Sequence, residues 1–125
     1  MKLLLDTHVL LWWLEDPSAI ADPARIEIAN PRNAAYVSAA SIQEIVIKQG
    51  QKRLSCPDDL LPLLEVNKFS HLPVTLDHAL RLRLLPPHHK DPFDRLLLAQ
   101  CHSENMTLVT RDRQLMKYDG SFLLA

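Results

Sequence analysis

Short apolar runs alternate with longer amphipathic stretches along the whole chain. Leu3-Leu4-Leu5, Ala35–Ser38, His71–Thr75, Thr107–Thr110 and Phe122-Leu123 have the length and character of strands. Between them the pattern predicts helices over Thr7–Leu14, from Asp22-Pro23 onward, and over Ala40–Lys48. Further helices are predicted from Cys56-Pro57-Asp58-Asp59 to Lys68, over Leu76–Leu85, over Phe93–Ser103 and near Gln114–Lys117. Strands that are apolar at successive positions need cover on both faces, which a one-sided antiparallel sheet does not give them. The alternation therefore predicts an α/β fold of three layers, α/β/α, around a central parallel sheet of about five strands. No repeat or linker divides the 125 residues, so a single domain over 1–125 is expected.

Local punctuation supports the helix starts. Asp22-Pro23 and Asp91-Pro92 each offer an N-cap followed by proline at the first helical position. Pro86-Pro87 should end the preceding helix, because proline disfavours helical backbone in the residue before it. Only two glycines occur, Gly50 and Gly120, which excludes a P-loop and a dinucleotide fingerprint. Two cysteines, Cys56 and Cys101, allow one bridge at most and no four-sulfur zinc cage. A formal net charge of -1 excludes holding nucleic acid by bulk basicity, though not by a local basic rim. The apolar N-terminus is broken by Asp6 and His8, so it does not read as a signal peptide. No stretch approaches the ~20 apolar residues of a membrane span. A cytoplasmic protein is expected.

Parallel α/β sheets place ligands outside the carboxyl ends of their strands, above all where strand order reverses. Asp6 directly follows the first strand and Asp112 lies just past the Thr107–Thr110 strand. Glu44 falls one to two turns into the helix after the second strand, and Asp94 opens the helix that leads into the fourth. Each acid also has a plain structural use. Asp6, Asp94 and Asp112 all precede or begin helices, where aspartate caps backbone N–H groups. Glu44 completes the capping-box pattern Ser41-Ile42-Gln43-Glu44 and stands four residues before Lys48. Asp94 is harder to explain this way, since Asp91 already supplies the cap. Leu108-Val109-Thr110-Arg111-Asp112 likewise ends a buried strand with more polar groups than a simple turn requires.

Four segments carry a resemblance: Leu3-Leu4-Leu5-Asp6-Thr7-His8, Val37 to Ile45, Asp91 to Gln100, and Leu108 to Arg113. In this order and spacing the chain resembles the PIN-domain ribonucleases, and within them the VapC-like toxins of bacterial toxin–antitoxin pairs. The resemblance spans nearly the whole chain. It implies an acidic catalytic quartet of Asp6, Glu44, Asp94 and Asp112, with no substitution. It also implies a five-stranded parallel sheet in which the strands ending at Asp6 and Val109 are neighbours. The expected cofactor is Mg²⁺ or Mn²⁺, hard cations that take carboxylate oxygens and keep several waters. Asp6, Asp112 and Asp94 are the expected metal ligands; Glu44 reaches a second metal or acts as general base through water. Thr7 and Thr110 are candidates to orient those carboxylates or their waters. The implied reaction is hydrolysis of RNA by metal-activated water, leaving a 5′-phosphate and not using the 2′-hydroxyl. A cognate antitoxin whose C-terminal segment lies over the active site, and a homodimer, are the implied protein partners.

Four close carboxylates repel, so without metal at least one should have a raised pKa. RNA needs a positive rim, for which Lys48, Lys52, Arg53, Lys90, Arg95, Arg111 and Arg113 are candidates, together with Arg81, Arg83, His88 and His89. The adjacent pair His88-His89 lies in a Pro-rich loop without the spacing of a helical zinc site, and reads as a solvated or RNA-contacting loop. Trp12 and Trp13 point about 100° apart on a helix. One is expected in the core and the other outward, as packing or as partner surface. Few aromatics remain for base stacking, which favours recognition of RNA by shape. A haloacid-dehalogenase-type phosphatase would need an acid where His8 stands. A receiver-like phosphoacceptor would need paired acids near the first strand. The alternative from another class is a module of the same fold that binds RNA or a partner without cutting.

Overall fold

The computed structural model describes residues 1–125. Leu3, Leu4 and Leu5 explain its centre. They form most of strand β1 (Lys2–Leu5), and none of the three exposes any surface. Successive side chains of a strand point to opposite faces. Leu3 and Leu5 accordingly join one apolar cluster while Leu4 joins another. The sheet needs helices on both sides, and has them.

The first cluster lies against helices α1 (Thr7–Glu15), α2 (Asp22–Ala29) and α4 (Leu60–Val66), through Val9, Leu10, Ala24, Ile28 and Leu64. Opposite, helix α6 (Pro92–Glu104) packs Leu97 and Cys101 against Leu4 and Leu108. Strand β2 (Ala34–Ser38) leads into α3 (Ala39–Gly50), β3 is Ser70–Leu72, β4 is Thr107–Thr110 and β5 is Ser121–Leu124. All four strand pairings are parallel, in the order β3-β2-β1-β4-β5. Leu5 pairs with Val109, so β1 and β4 are neighbours, and the strand order reverses between them. The three-layer α/β/α architecture and its five parallel strands are those the sequence pattern predicts.

Several boundaries differ, each for a local reason. The third strand stops at Leu72, not at Thr75, because Pro73 has no N–H for a ladder. Thr75 instead caps helix α5 (Leu76–Leu80) in a reciprocal capping box with His78. That helix tightens to 3₁₀ over Arg81–Leu84, and Leu85 is extended ahead of Pro86. α2 starts at Asp22 itself, with Ala21 before it and no side-chain cap; Asp22 pairs with Arg25 instead. α4 keeps only Leu60–Val66 of the expected helix, since Asp59 makes no capping bond. Near the C-terminus only Leu115–Lys117 is helical, as a 3₁₀ turn. Ser38, not Ser41, caps α3 by accepting from Ala40 N, which displaces the capping-box explanation of Glu44. The two cysteines are free. No helix is long and apolar enough to cross a membrane.

Candidate active site

At the carboxyl ends of β1 and β4 a cleft of about 330 Å³ collects Asp6, Glu44, Asp94 and Asp112, with Asp91 beside them. All four acids singled out in the sequence thus meet in one place. Asp6 is the N-cap of α1, its Oδ1 accepting from His8 N at 2.8 Å. The capping use and the cleft position coexist, because the other oxygen is free of the helix. Oδ2 accepts from Thr110 Oγ1 at 2.6 Å, and that hydroxyl in turn accepts from Asp112 N at 3.0 Å. A backbone bond from Asp6 N to Val109 O locks the two strand ends together. Thr110 is therefore the tie between two acids 106 residues apart in sequence.

Glu44 is 2% exposed, one and a half turns into α3. Its Oε1 accepts from Thr7 Oγ1 at 2.7 Å, and its Oε2 accepts from Lys48 Nζ at 2.5 Å. Thr7 Oγ1 also lies 3.1 Å from the buried Ser41 hydroxyl. Lys48 is thus committed to Glu44, so the four carboxylates are not wholly uncompensated. Asp94 is the contrasting case. Asp91 caps α6 by accepting from Phe93 N and Asp94 N, which leaves the Asp94 carboxylate without a capping task. It accepts no hydrogen bond. Burial, and then the charges of Asp6, Asp91 and Glu44, push its pKa up to about 7. Burial also raises Asp6, against the pull of the Thr110 hydroxyl. At Asp112 burial acts in the same sense, but the His89 hydrogen bond and backbone N–H groups outweigh it and hold that carboxyl below its ordinary value.

His89 was not legible as part of this cleft. The loop it occupies turns inward, placing its Nε2 2.7 Å from Asp112 Oδ2 and 3.4 Å from Asp94 Oδ2. The reading of His88-His89 as a solvated loop therefore fails for His89. His88 is exposed and packs edge-on against Tyr118. Tyr118, buried and unforeseen, accepts from the N–H groups of His88 and His89 and donates to Pro86 O. Arg95 belongs to the same scaffold. Its guanidinium donates to the carbonyls of Pro86, Leu82 and Leu85 and to Tyr118 Oη, so it is a loop anchor and not a free phosphate contact.

Of the other basic candidates, only Lys48 and Arg111 line the cleft. Arg111 lies over the Trp12 ring, 4.1 Å from its centroid, and donates to the carbonyls of Ala125 and Ala19. Lys52, Arg53, Lys90 and Arg113 are exposed in loops and turns and do not line the cleft. Neither tryptophan is fully in the core. Trp12 reaches the cleft, whereas Trp13 packs on Phe69 and donates to Asn67 Oδ1 at 3.0 Å.

The donor set is mostly hard oxygen, and one ligand atom each from His89, Asp94 and Asp112 falls within a 4.8 Å group. A divalent cation suits this chemistry, because it would offset the like charges that raise Asp94. Comparison with known proteins agrees with the geometry. A profile of the PIN domain family matches residues 3–121. The chain belongs to the PIN-domain family. This PIN domain is 30% identical over 118 residues to Ribonuclease VapC22 of Mycobacterium tuberculosis, covering 92% of this chain and 90% of that protein. Its backbone superposes on a chain of DNA-bound VapBC from Salmonella typhimurium with a TM-score of 0.72, covering 99% of this chain and 98% of that one. VapBC2 from Rickettsia felis, bound to a promoter DNA fragment, gives 0.71 with 100% and 99% covered. At 14% identity in both cases, these two likenesses show the shared PIN fold.

Proposed function

We propose that this PIN domain is a metal-dependent endoribonuclease and the toxin of a toxin–antitoxin pair, using Mg²⁺ or Mn²⁺ to cut a structured RNA. The observation that carries the proposal is Asp94: a half-buried carboxylate among three other acids that accepts no hydrogen bond. A carboxyl pushed well above its ordinary value by burial and like charges in a cleft is a mark of functional sites. The ribonuclease name of the 30%-identical relative supports the substrate class. The VapBC complexes support an antitoxin as the partner. A homodimer is part of the same proposal.

Asp6, Asp94 and Asp112 would hold the cation, each presenting at least one oxygen lone pair to the cleft. When bound there, a divalent cation neutralises the acids, makes water a better nucleophile and offsets charge on the phosphate. Thr110 fixes Asp6 through its hydroxyl, and Thr7 fixes Glu44. Glu44 keeps lone pairs in addition to its bonds with Thr7 and Lys48, and serves as the base that takes the proton of the attacking water. Water oxygen adds to phosphorus, the bond to the 3′-oxygen breaks, and that oxygen takes a proton from solvent water, leaving a 5′-phosphate and a 3′-hydroxyl. Lys52, Arg53, Lys90 and Arg113 are exposed and would meet phosphates beyond the cleft, with Arg111 and Lys48 at its wall. Few aromatics stand ready to stack on bases, so RNA shape selects the site.

The test is cleavage of a panel of structured RNAs, transfer RNAs included, in Mg²⁺, Mn²⁺ or EDTA. An Asp94→Asn protein purified identically is the control. Metal-dependent cuts that leave 5′-phosphates and vanish in the variant are expected. Equal cutting by both preparations, or binding without cutting in any metal, overturns the proposal.

A further inference from the structure

The contacts of His89 fix which of its nitrogens carries a proton. Its Nδ1 lies 3.0 Å from the backbone N of Asp91. A backbone N–H can only donate, so Nδ1 must accept and is unprotonated. The neutral ring then carries its hydrogen on Nε2, the atom 2.7 Å from Asp112 Oδ2. Nε2 therefore points a hydrogen, not a lone pair, at the acids.

This arrangement is built, not incidental. The His89 backbone N–H donates to Tyr118 Oη at 3.0 Å, and Arg95 and Tyr118 both bond Pro86 O at the start of the same loop. Asp91, which supplies the N–H to Nδ1, is also the residue that caps α6 and so sets the position of Asp94. The imidazole is thus clamped between the helix cap and Asp112. Asp112 Oδ1 accepts from Gln114 N at 2.8 Å, so the His89 bond completes the fixing of that carboxylate at both oxygens.

We propose that His89 is a positioning residue, not a metal ligand: its Asp91-locked tautomer donates from Nε2 to Asp112 and holds that carboxylate in place for a divalent cation. The inference rests on the metal-dependent reading above. His89, Asp94 and Asp112 form a compact three-residue group, yet coordination through Nε2 would require breaking the bond from Asp91 N or removing a second proton from the ring. The cation site is then an all-oxygen one at this side of the cleft. Partners of this kind typically set metal affinity or activity by about 10- to 100-fold.

The test combines a spectroscopic readout with a rescue. In the ¹⁵N-labelled full-length protein, imidazole NMR above neutral pH should show His89 protonated on Nε2 and bare on Nδ1, both before and after Mg²⁺ is added. His89→Gln, which keeps a side-chain N–H donor, supplies the assignment and the rescue. Titration with Mn²⁺ should give about 10- to 100-fold weaker binding for His89→Leu and substantial recovery for His89→Gln. Pulsed electron paramagnetic resonance of bound Mn²⁺ should show no directly coordinated nitrogen from His89. Loss of the Nε2 proton on adding metal, a coordinated His89 nitrogen, or a His89→Gln protein as weak as His89→Leu overturns the inference. These readouts need no RNA. A chain that binds Mn²⁺ with the predicted tautomer but cuts nothing defeats the nuclease reading alone, whereas cutting with the wrong tautomer defeats only the role of His89.

Discussion

Helix α6 serves two polar clusters with opposite properties. In its second half, Gln100 is fully buried and wholly satisfied: Oε1 accepts from Ser38 Oγ at 2.6 Å, and Nε2 lies 3.3 Å from both Pro73 O and His78 Nδ1. His78, also buried, accepts from Thr75 N and reaches Glu104 through Nε2 at 2.9 Å. One turn and a half earlier, Asp94 faces three acids and accepts nothing. The same helix thus carries a network that stabilises the fold and a carboxylate that costs it free energy. At Asp94 the cost falls on the ionised form, which burial and the neighbouring acids disfavour. The comparison thus sets a network closed within the protein beside a carboxylate crowded by like charge.

The sharpest way to break this contrast is Asp94→Asn, because it should move stability and activity in opposite directions. RNA cleavage should fall by about 10²-fold or more, since the variant removes a cation-holding oxygen charge. Metal-free stability at pH 8 should rise by about 1–2 kcal/mol, as the like-charge repulsion disappears. Denaturant melts in EDTA beside cleavage assays check both. A variant that loses stability would show that Asp94 is structural after all.

His78→Leu probes the other cluster and should be almost purely destabilising. It would take an acceptor from the buried Gln100 amide and break the caps and ion pair at Thr75 and Glu104. A loss of about 2–4 kcal/mol is expected, with or without Mg²⁺. Mn²⁺ affinity of the molecules that remain folded should stay within about twofold, because no atom of the cleft is touched. A large affinity change would mean that the two clusters communicate through α6.

The sequence made these two clusters legible to different degrees. Asp6 and Asp112 can be placed at the carboxyl edge from sequence because each acid follows a buried strand. Asp94 stands out because Asp91-Pro92 already accounts for the helix start. Glu44 is obscured, since its i,i+4 partner Lys48 is real and the ion pair forms; only the Thr7 contact between α1 and α3 distinguishes it. His89 and Tyr118 are invisible in one dimension. The loop is turned inward by a hydroxyl 29 residues away and by Arg95, whose charge suggests a phosphate contact but whose donors reach carbonyls. The His78–Gln100 network is hidden for the same reason: its members lie on separate elements, and their pairing exists only after α5 docks on α6. Strand limits such as that at Pro73 were available to local rules, whereas 3₁₀ endings depend on what each turn packs against.

pH offers a gentler test of the same contrast. Asp94 binds its proton more tightly in the folded protein, at about 7, than in an unfolded chain near 3.8. Its contribution to stability is therefore fully present below about pH 4 and is lost as pH rises through about 7. Asp6 shifts in the same direction; Asp112, held low, contributes in the opposite sense at acid pH. Between pH 5.5 and 8 the metal-free protein should lose about 1–2 kcal/mol of stability. Asp94→Asn should abolish most of that slope.

Mg²⁺ supplies the converse experiment, since it binds the ionised cleft and not the protonated one. Linkage then requires that the stabilisation it gives, RT ln(1 + [L]/Kd), grow with pH over the same window. Thermal melts at fixed Mg²⁺ should therefore shift upward more at pH 8 than at pH 5.5, with the difference small in Asp94→Asn. His78→Leu should keep the full pH-dependent response to Mg²⁺ on its lowered baseline. Equal Mg²⁺ shifts at both pH values in the wild type would mean that the cation binds somewhere other than among these acids, and the distinction between the two ends of α6 would lose its chemical basis.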